Sequence, residues 1–413
     1  MHDLTRRSFL CHVAAATSVA GQVHWLAAQE TQPKVLPVAA VVTQYSNNSH
    51  TDVIVGKILA GFDQQGGQGP ALKLVAMYTD QVPDGDLSRG LAAKHDFQIA
   101  RTIDGALTQN SDRLQVAGVL SIGEHGDYPY TPDTKQHMYP RRRFFDAIAA
   151  TFRRVDQVVP VFTDKHLSYR WSDAKHMVHV AKEMQIPLMA GSSLPVTWRR
   201  PAVALPIGCE IEEALVVGYG GLESYGFHAL ETLQCMVERR TGGETGVASV
   251  RVLQGNEIAK GGAAGIWSEE LFAAVLQTMP GQPAGDVDRL NDGAAFYVLE
   301  YRDGLKATVA MANGVASQFG FAARLRGQRE PIATWFELEV KKPFGHFEHL
   351  TRAIDHMIHT GKPAYPVQRT LLTTGVLDSV MQSLADDARK HETPELAVSY
   401  QPADWTFANR DEQ

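Results

Sequence analysis

From Val35 onward, short apolar runs alternate with stretches in which apolar residues recur every three or four positions. Val38-Ala39-Ala40-Val41-Val42 reads as a buried strand, and Val53, Ile54, Ile58, Leu59 and Phe62 then fall at helical spacing. The alternation continues with a strand over Leu72–Tyr78, a helix over Leu87–Lys94 and a strand over Val116–Ile122. A helix over Arg143–Phe152, a strand over Val158–Phe162, a helix over Trp171–Met184 and a short strand over Pro187–Ala190 complete it. Strands separated by helices through residues 35–200 predict an α/β unit built on a doubly wound parallel sheet.

The texture changes after Pro201. Val247–Leu253, Ala294–Tyr301, Ala307–Ala312 and Thr334–Val340 read as longer strands with fewer helices between them, and Arg302-Asp303-Gly304 is a hairpin turn. Residues 201–400 are therefore expected to form an α+β domain with a largely antiparallel sheet, closed by helices over Phe347–His359 and Leu371–Arg389. The length of 413 residues exceeds the roughly 250–300 at which single cores split, which agrees with two domains.

Composition narrows the class. Apolar residues make up 44% and charged residues 21%, as in ordinary globular chains, and a formal charge of −7 argues against nucleic-acid binding. The one basic run, Arg141-Arg142-Arg143, precedes apolar residues at helical spacing and reads as a solvated helix start. Residues 1–28 look like a twin-arginine signal peptide: Thr5-Arg6-Arg7-Ser8-Phe9-Leu10 precedes an uncharged Ala-rich stretch too polar and too short to span a membrane. Export to the periplasm, with no membrane anchor after cleavage, is the expectation. That route carries chains already folded, often with a cofactor loaded beforehand. Cys209 and Cys235 either pair there or stay free thiols, and no C-x-x-C occurs.

Three segments carry a family resemblance: Phe162-Thr163-Asp164-Lys165-His166-Leu167, Glu223-Ser224-Tyr225-Gly226-Phe227-His228 and Pro366-Val367-Gln368-Arg369-Thr370-Leu371-Leu372-Thr373-Thr374-Gly375. With them the chain resembles the glucose–fructose oxidoreductase/inositol dehydrogenase (Gfo/Idh/MocA) family over nearly its whole mature length. The resemblance implies a Rossmann-like first domain that binds NAD or NADP, and oxidation of a carbohydrate or polyol before the second domain's sheet. It implies Lys165 as the active-site lysine and His228 as the base. It also implies a homo-oligomer joined through the open face of the second sheet. Asn47, Asn48 and Ser49, in the turn after the first strand, would face the cofactor's phosphates, and Asp80 its ribose. That turn, Thr43–His50, contains no glycine, so side chains crowd the place where a diphosphate approaches backbone N–H groups. The family's Glu-Lys-Pro is Asp164-Lys165-His166 here, and its Asp position is Ser224.

Two other readings rest on the residues alone. Gly123-Glu124-His125-Gly126-Asp127 follows the third strand, where open α/β sheets bind ligands. Glu124, His125, Asp127 and His166 could hold Zn, Mn or Fe in a nicotinamide-independent lyase or hydrolase. A non-catalytic sugar-binding protein on the same scaffold is the third. His346, His349, His356 and His359 share a helical spacing and read as surface or packing residues; Trp171, Trp198 and Trp267 read as core.

Overall fold

A computed structural model describes residues 34–281 and 287–412, so the signal-like segment lies outside the described residues. Strands β1 (Leu36–Val42), β2 (Leu72–Thr79), β3 (Gln98–Ala100), β4 (Gly118–Ile122), β5 (Val161–Asp164) and β6 (Leu188–Gly191) form a parallel six-stranded sheet in the order β3-β2-β1-β4-β5-β6. Helices α1 (His50–Ala60), α2 (Ser88–His95), α3 (Ile103–Thr108), α4 (Arg141–Val155) and α5 (Trp171–Glu183) connect them. This is the doubly wound order, with the reversal at β1/β4. Because side chains alternate along a strand, β1 serves both layers. Val38, Ala40 and Val42 pack in the core beneath α1, while Ala39 and Val41 join the α3, α4 and α5 side.

The second sheet comprises β7 (Trp198–Arg200), β8 (Ile211–Gly218), β9 (Val247–Gln254), β10 (Ala295–Tyr301), β11 (Lys306–Met311), β12 (Phe319–Leu325), β13 (Ile332–Glu337) and β14 (His391–Glu392). Its order is β14-β9-β10-β11-β8-β12-β13-β7, and the pairs are antiparallel except β8 with β11. Helices α6 (Ser224–Val237) and α10 (Gln368–Ala385) cover one face around Phe227, Leu230 and Leu372. Helices α7 (Asn256–Ala263) and α8 (Glu269–Thr278) cover the other around Trp267, Phe272 and Phe296. Part of the face expected to be open is thus packed by the chain's own α7 and α8.

The sequence pattern located most elements within a few residues. It missed β3 and α3, which are too short for a period to show, and β8, whose Glu212-Glu213 interrupts the apolar run. It also missed β12, rich in Ala and Gly, and α7 and α8. Cys209 and Cys235 are free thiols. No helix among the described residues is long and apolar enough to cross a membrane.

Helix α9 (His346–Thr360) lies late in the chain yet packs on the first sheet, its Leu350, Ile354 and Met357 joining Val38 and Leu120. Gly118 on β4 makes room for it, since a Cβ there would lie 2.7 Å from Ile358 Cγ1. Ile358 is β-branched and cannot swing aside freely. Gly118→Ala is expected to lower stability by about 1–3 kcal/mol, the usual cost of overpacking. Ile358→Val in the same chain should recover part of it in urea unfolding; additive losses would show that the two residues do not share this contact.

Candidate functional site

The loops after β1, β4 and β5, the start of α6 and the segment leading into α9 enclose a cavity of about 730 Å³. Its walls include Lys165 and His228, together with Asn48, His50, Glu124, His125, His166, Glu223 and His346.

Lys165 directly follows β5 with φ +60°, a left-handed backbone that a lysine adopts at a cost. Its amide donates to Gly191 O, and Nζ lies 2.9 Å from Glu124 Oε1. Arg141, fully buried, donates from Nη2 to Glu124 Oε2 at 2.5 Å and from Nη1 to His166 Nε2 at 2.9 Å. Burial alone would push the Glu124 carboxyl up, but the Lys165 and Arg141 cations outweigh it and hold it well below the usual carboxylate range. Arg141 can only donate, so His166 accepts at Nε2 and carries its proton on Nδ1. Burial and the neighbouring Arg141 hold His166 neutral.

His228 projects from the first turns of α6. Its Nδ1 is 2.7 Å from Ser192 Oγ, which also accepts from Leu194 N, so Nε2 is the nitrogen left for a substrate. Burial, then the Lys165 and His50 charges, keep the imidazole neutral. His50 is itself fixed by Asp164, Nδ1 to Oδ2 at 2.7 Å, and stacks near His228. Glu223, at the N-terminal edge of α6, accepts from the His137 amide and lies 4.0 Å from His166 Nε2. Burial raises its pKa to about 7.

The structure brings Lys165, His228, Glu124, His125 and His166 to one cavity and leaves Asp127 outside its walls. Both Glu124 oxygens are taken by cations, and no group of three or more His, Cys, Asp or Glu among the described residues is arranged to hold a metal ion. The four residues therefore do not fit a metal centre. Of the residues assigned to a dinucleotide, only Asn48 reaches the cavity. Ser49 is the N-cap of α1, its hydroxyl accepting from Asp52 N, while the Asp52 carboxylate accepts from Asn48 N at 2.9 Å. The helix end is thus closed by its own capping pair, with a carboxylate where a diphosphate would approach. Asp80 accepts from Tyr78, Tyr128 and Arg143 and does not line the cavity. This cradle does not fit a dinucleotide.

Sequence reasoning passed over several residues. Arg141 is no solvated helix start; Gly123 leaves it space, and Arg142 and Arg143 are paired with Asp146, Asp173 and Asp80. His346 lines the cavity at 7% exposure rather than only packing a helix. Glu223 stood within a quoted motif and drew no role. His50 and Ser192 gave no local signal, because their partners Asp164 and His228 lie 114 and 36 residues away in sequence.

No protein-family model matches this sequence, and no curated protein matches it. Solved structures do. An enzyme of gentamicin A biosynthesis in complex with NAD is similar with a TM-score of 0.56 at 14% identity, over 87% of this chain and 96% of that one. Scyllo-inositol dehydrogenase of Lactobacillus casei, solved without ligand, gives 0.55 at 10% identity, over 87% and 98%. An oxidoreductase of Agrobacterium radiobacter with NAD+, L-tartaric acid and magnesium gives 0.53 at 13% identity, over 87% and 98%. At these identities the likeness is one of fold: a Rossmann-like sheet followed by a largely antiparallel second sheet, as in inositol and sugar dehydrogenases.

Behind Ser192, Glu231 of α6 is fully buried and accepts from Thr373 Oγ1 at 2.7 Å. Burial lifts its pKa from 4.5 to about 7. Between those values the folded chain keeps a proton that the unfolded chain has released, so stability falls as pH rises through that window. Glu231→Gln cannot ionise, and its urea-unfolding free energy should decline less than the parent's between pH 5 and 8, by about 3 kcal/mol at most. Parallel curves would show that Glu231 is charged at neutral pH.

Proposed function

We propose that the chain is an enzyme of carbohydrate or polyol chemistry on a dehydrogenase-like fold, working by proton transfer at the carbon beside a carbonyl, with no net oxidation. The observation that carries this reading is the convergence of a neutral His228, an anchored Lys165 and a carboxyl of pKa about 7, Glu223, on one cavity. His228 Nε2 takes the proton. Lys165, held by Glu124, stabilises the oxygen on which negative charge develops. Glu223, half of it protonated near neutrality, returns a proton to the other side of the reacting group. Tyr130 and Tyr225, exposed aromatic faces on the cavity wall, suit the C–H faces of a sugar ring.

A nicotinamide-dependent oxidation is the second reading, favoured by the enzymes of the same fold solved with NAD. A periplasmic location, and association between copies, are proposals that rest on the signal-like segment and on the resemblance.

The test is incubation of the purified chain with hexoses, ketoses, cyclitols and their keto derivatives in D2O, read by NMR for conversion or for deuterium at carbon. Turnover by the parent and a loss of at least about 100-fold in Lys165→Ala and His228→Ala are expected. Sugar binding without turnover, unchanged in both variants, would sink the enzyme reading and leave a binding protein. In the pH profile of kcat/KM, a limb near pH 7 should disappear in Glu223→Gln while the parent keeps it. A limb that persists in the variant would assign that ionisation to another group.

A further inference from the structure

In a doubly wound sheet a dinucleotide crosses the crevice above the carboxyl end of the first strand, between the loops of its two neighbours. Here those neighbours are β2 and β4. Their loops are bonded to each other over the end of β1. Gln81, after β2, donates from Nε2 to Asp127 O at 2.8 Å, and Asp127 N donates back to Gln81 Oε1 at 2.8 Å. Beside this pair, Asp80 accepts from Tyr128 Oη at 2.7 Å and from Arg143 Nη2 at 2.6 Å.

The β1 turn is tied into the same layer. Gln81 N donates to Thr43 O, and Thr43 Oγ1 donates to Glu124 O at 2.5 Å. On the far side Tyr45 N donates to Asp86 Oδ2 and Leu87 N to Tyr45 O, while the Tyr45 side chain is buried in the core. Gly126, at φ +110°, is required by the closure: a Cβ there would lie 2.6 Å from the Tyr128 ring and 2.9 Å from Gln81 Oε1. The cavity wall includes Asn48, His50 and His125 but none of Thr43, Tyr45, Asp80, Gln81, Asp127 or Tyr128.

We propose that the loops after β2 and β4 form a permanent cover across β1, so that the cavity takes its substrate alone and the chain binds no nicotinamide dinucleotide in the cradle of its fold. The cover does for the β1 crevice what a bound dinucleotide does elsewhere: it joins the two flanking loops and walls off the substrate cavity. The start of α1 points the same way, since Ser49 Oγ caps the Asp52 amide and the Asp52 carboxylate accepts from Asn48 N just before the helix. The inference does not depend on which sugar is turned over, and it stands against the second reading above.

The test has two measurements on the full chain after natural export. Acid-released supernatant, run by chromatography, is expected to contain no NAD(H) or NADP(H). Titration with NADH and NADPH, read by energy transfer from tryptophan, is expected to show no saturable binding up to millimolar concentration. Stoichiometric nucleotide, or saturation in the micromolar range, overturns the proposal whatever the outcome of the sugar assay. Hydrogen exchange then tests permanence. Amides of 80–87 and 123–130 should be protected in the parent and exchange at least about 10-fold faster in Tyr128→Phe/Gln81→Ala. Fast exchange in the parent would mean that the loops open, and would equally overturn the cover.

Discussion

The Glu124 carboxylate, buried between the Lys165 ammonium and the Arg141 guanidinium, is the interaction on which the site depends. Two cations and one anion taken from water carry a large desolvation cost, repaid only when each charge is met at close range. Each is: Arg141 also holds His166, and Lys165 reaches toward the carbonyl of Ser224. Removing Glu124 would leave two buried positive charges facing each other. The cluster also ties three elements together, because Glu124 follows β4, Arg141 opens α4 and Lys165 follows β5.

Left-handed backbone also occurs at the same place. Lys165 and His125 both sit at positive φ, and Gly191, opposite Lys165, has φ +130° with Glu231 Oε2 only 2.5 Å from where a Cβ would lie. Such geometry persists where surrounding contacts over-determine it. Here it turns the Lys165 side chain to Glu124 and brings α6 close enough for His228 to meet Ser192.

The same sheet ends show how a fold and its usual cofactor separate. The doubly wound order is that of a dinucleotide fold, whereas the start of α1 is a capped helix and the loops after β2 and β4 are a bonded pair. Fold is set by two extended cores and tolerates this. Ligand choice is set by a few backbone amides and the space beside them.

The class of fold was legible in the sequence because burial imposes a period of two on strands and of 3.6 on helices, and those periods survive without any partner being known. Lys165 and His228 were legible through short motifs. The turn after β1 announced its lack of glycine, and that absence was the one sign of an altered cradle. The tertiary structure alone decided what these residues do. Arg141 looked like surface charge until β4 put Glu124 beside it, and Asp80 looked like a ribose ligand until Tyr128 and Arg143 took its oxygens. His346 entered the cavity only because α9 crosses to the first sheet. Local spacing reports which face of an element is buried. It carries no information about which distant charge or hydroxyl will be waiting there, and at this site that choice separates a solvated side chain from a reactive one.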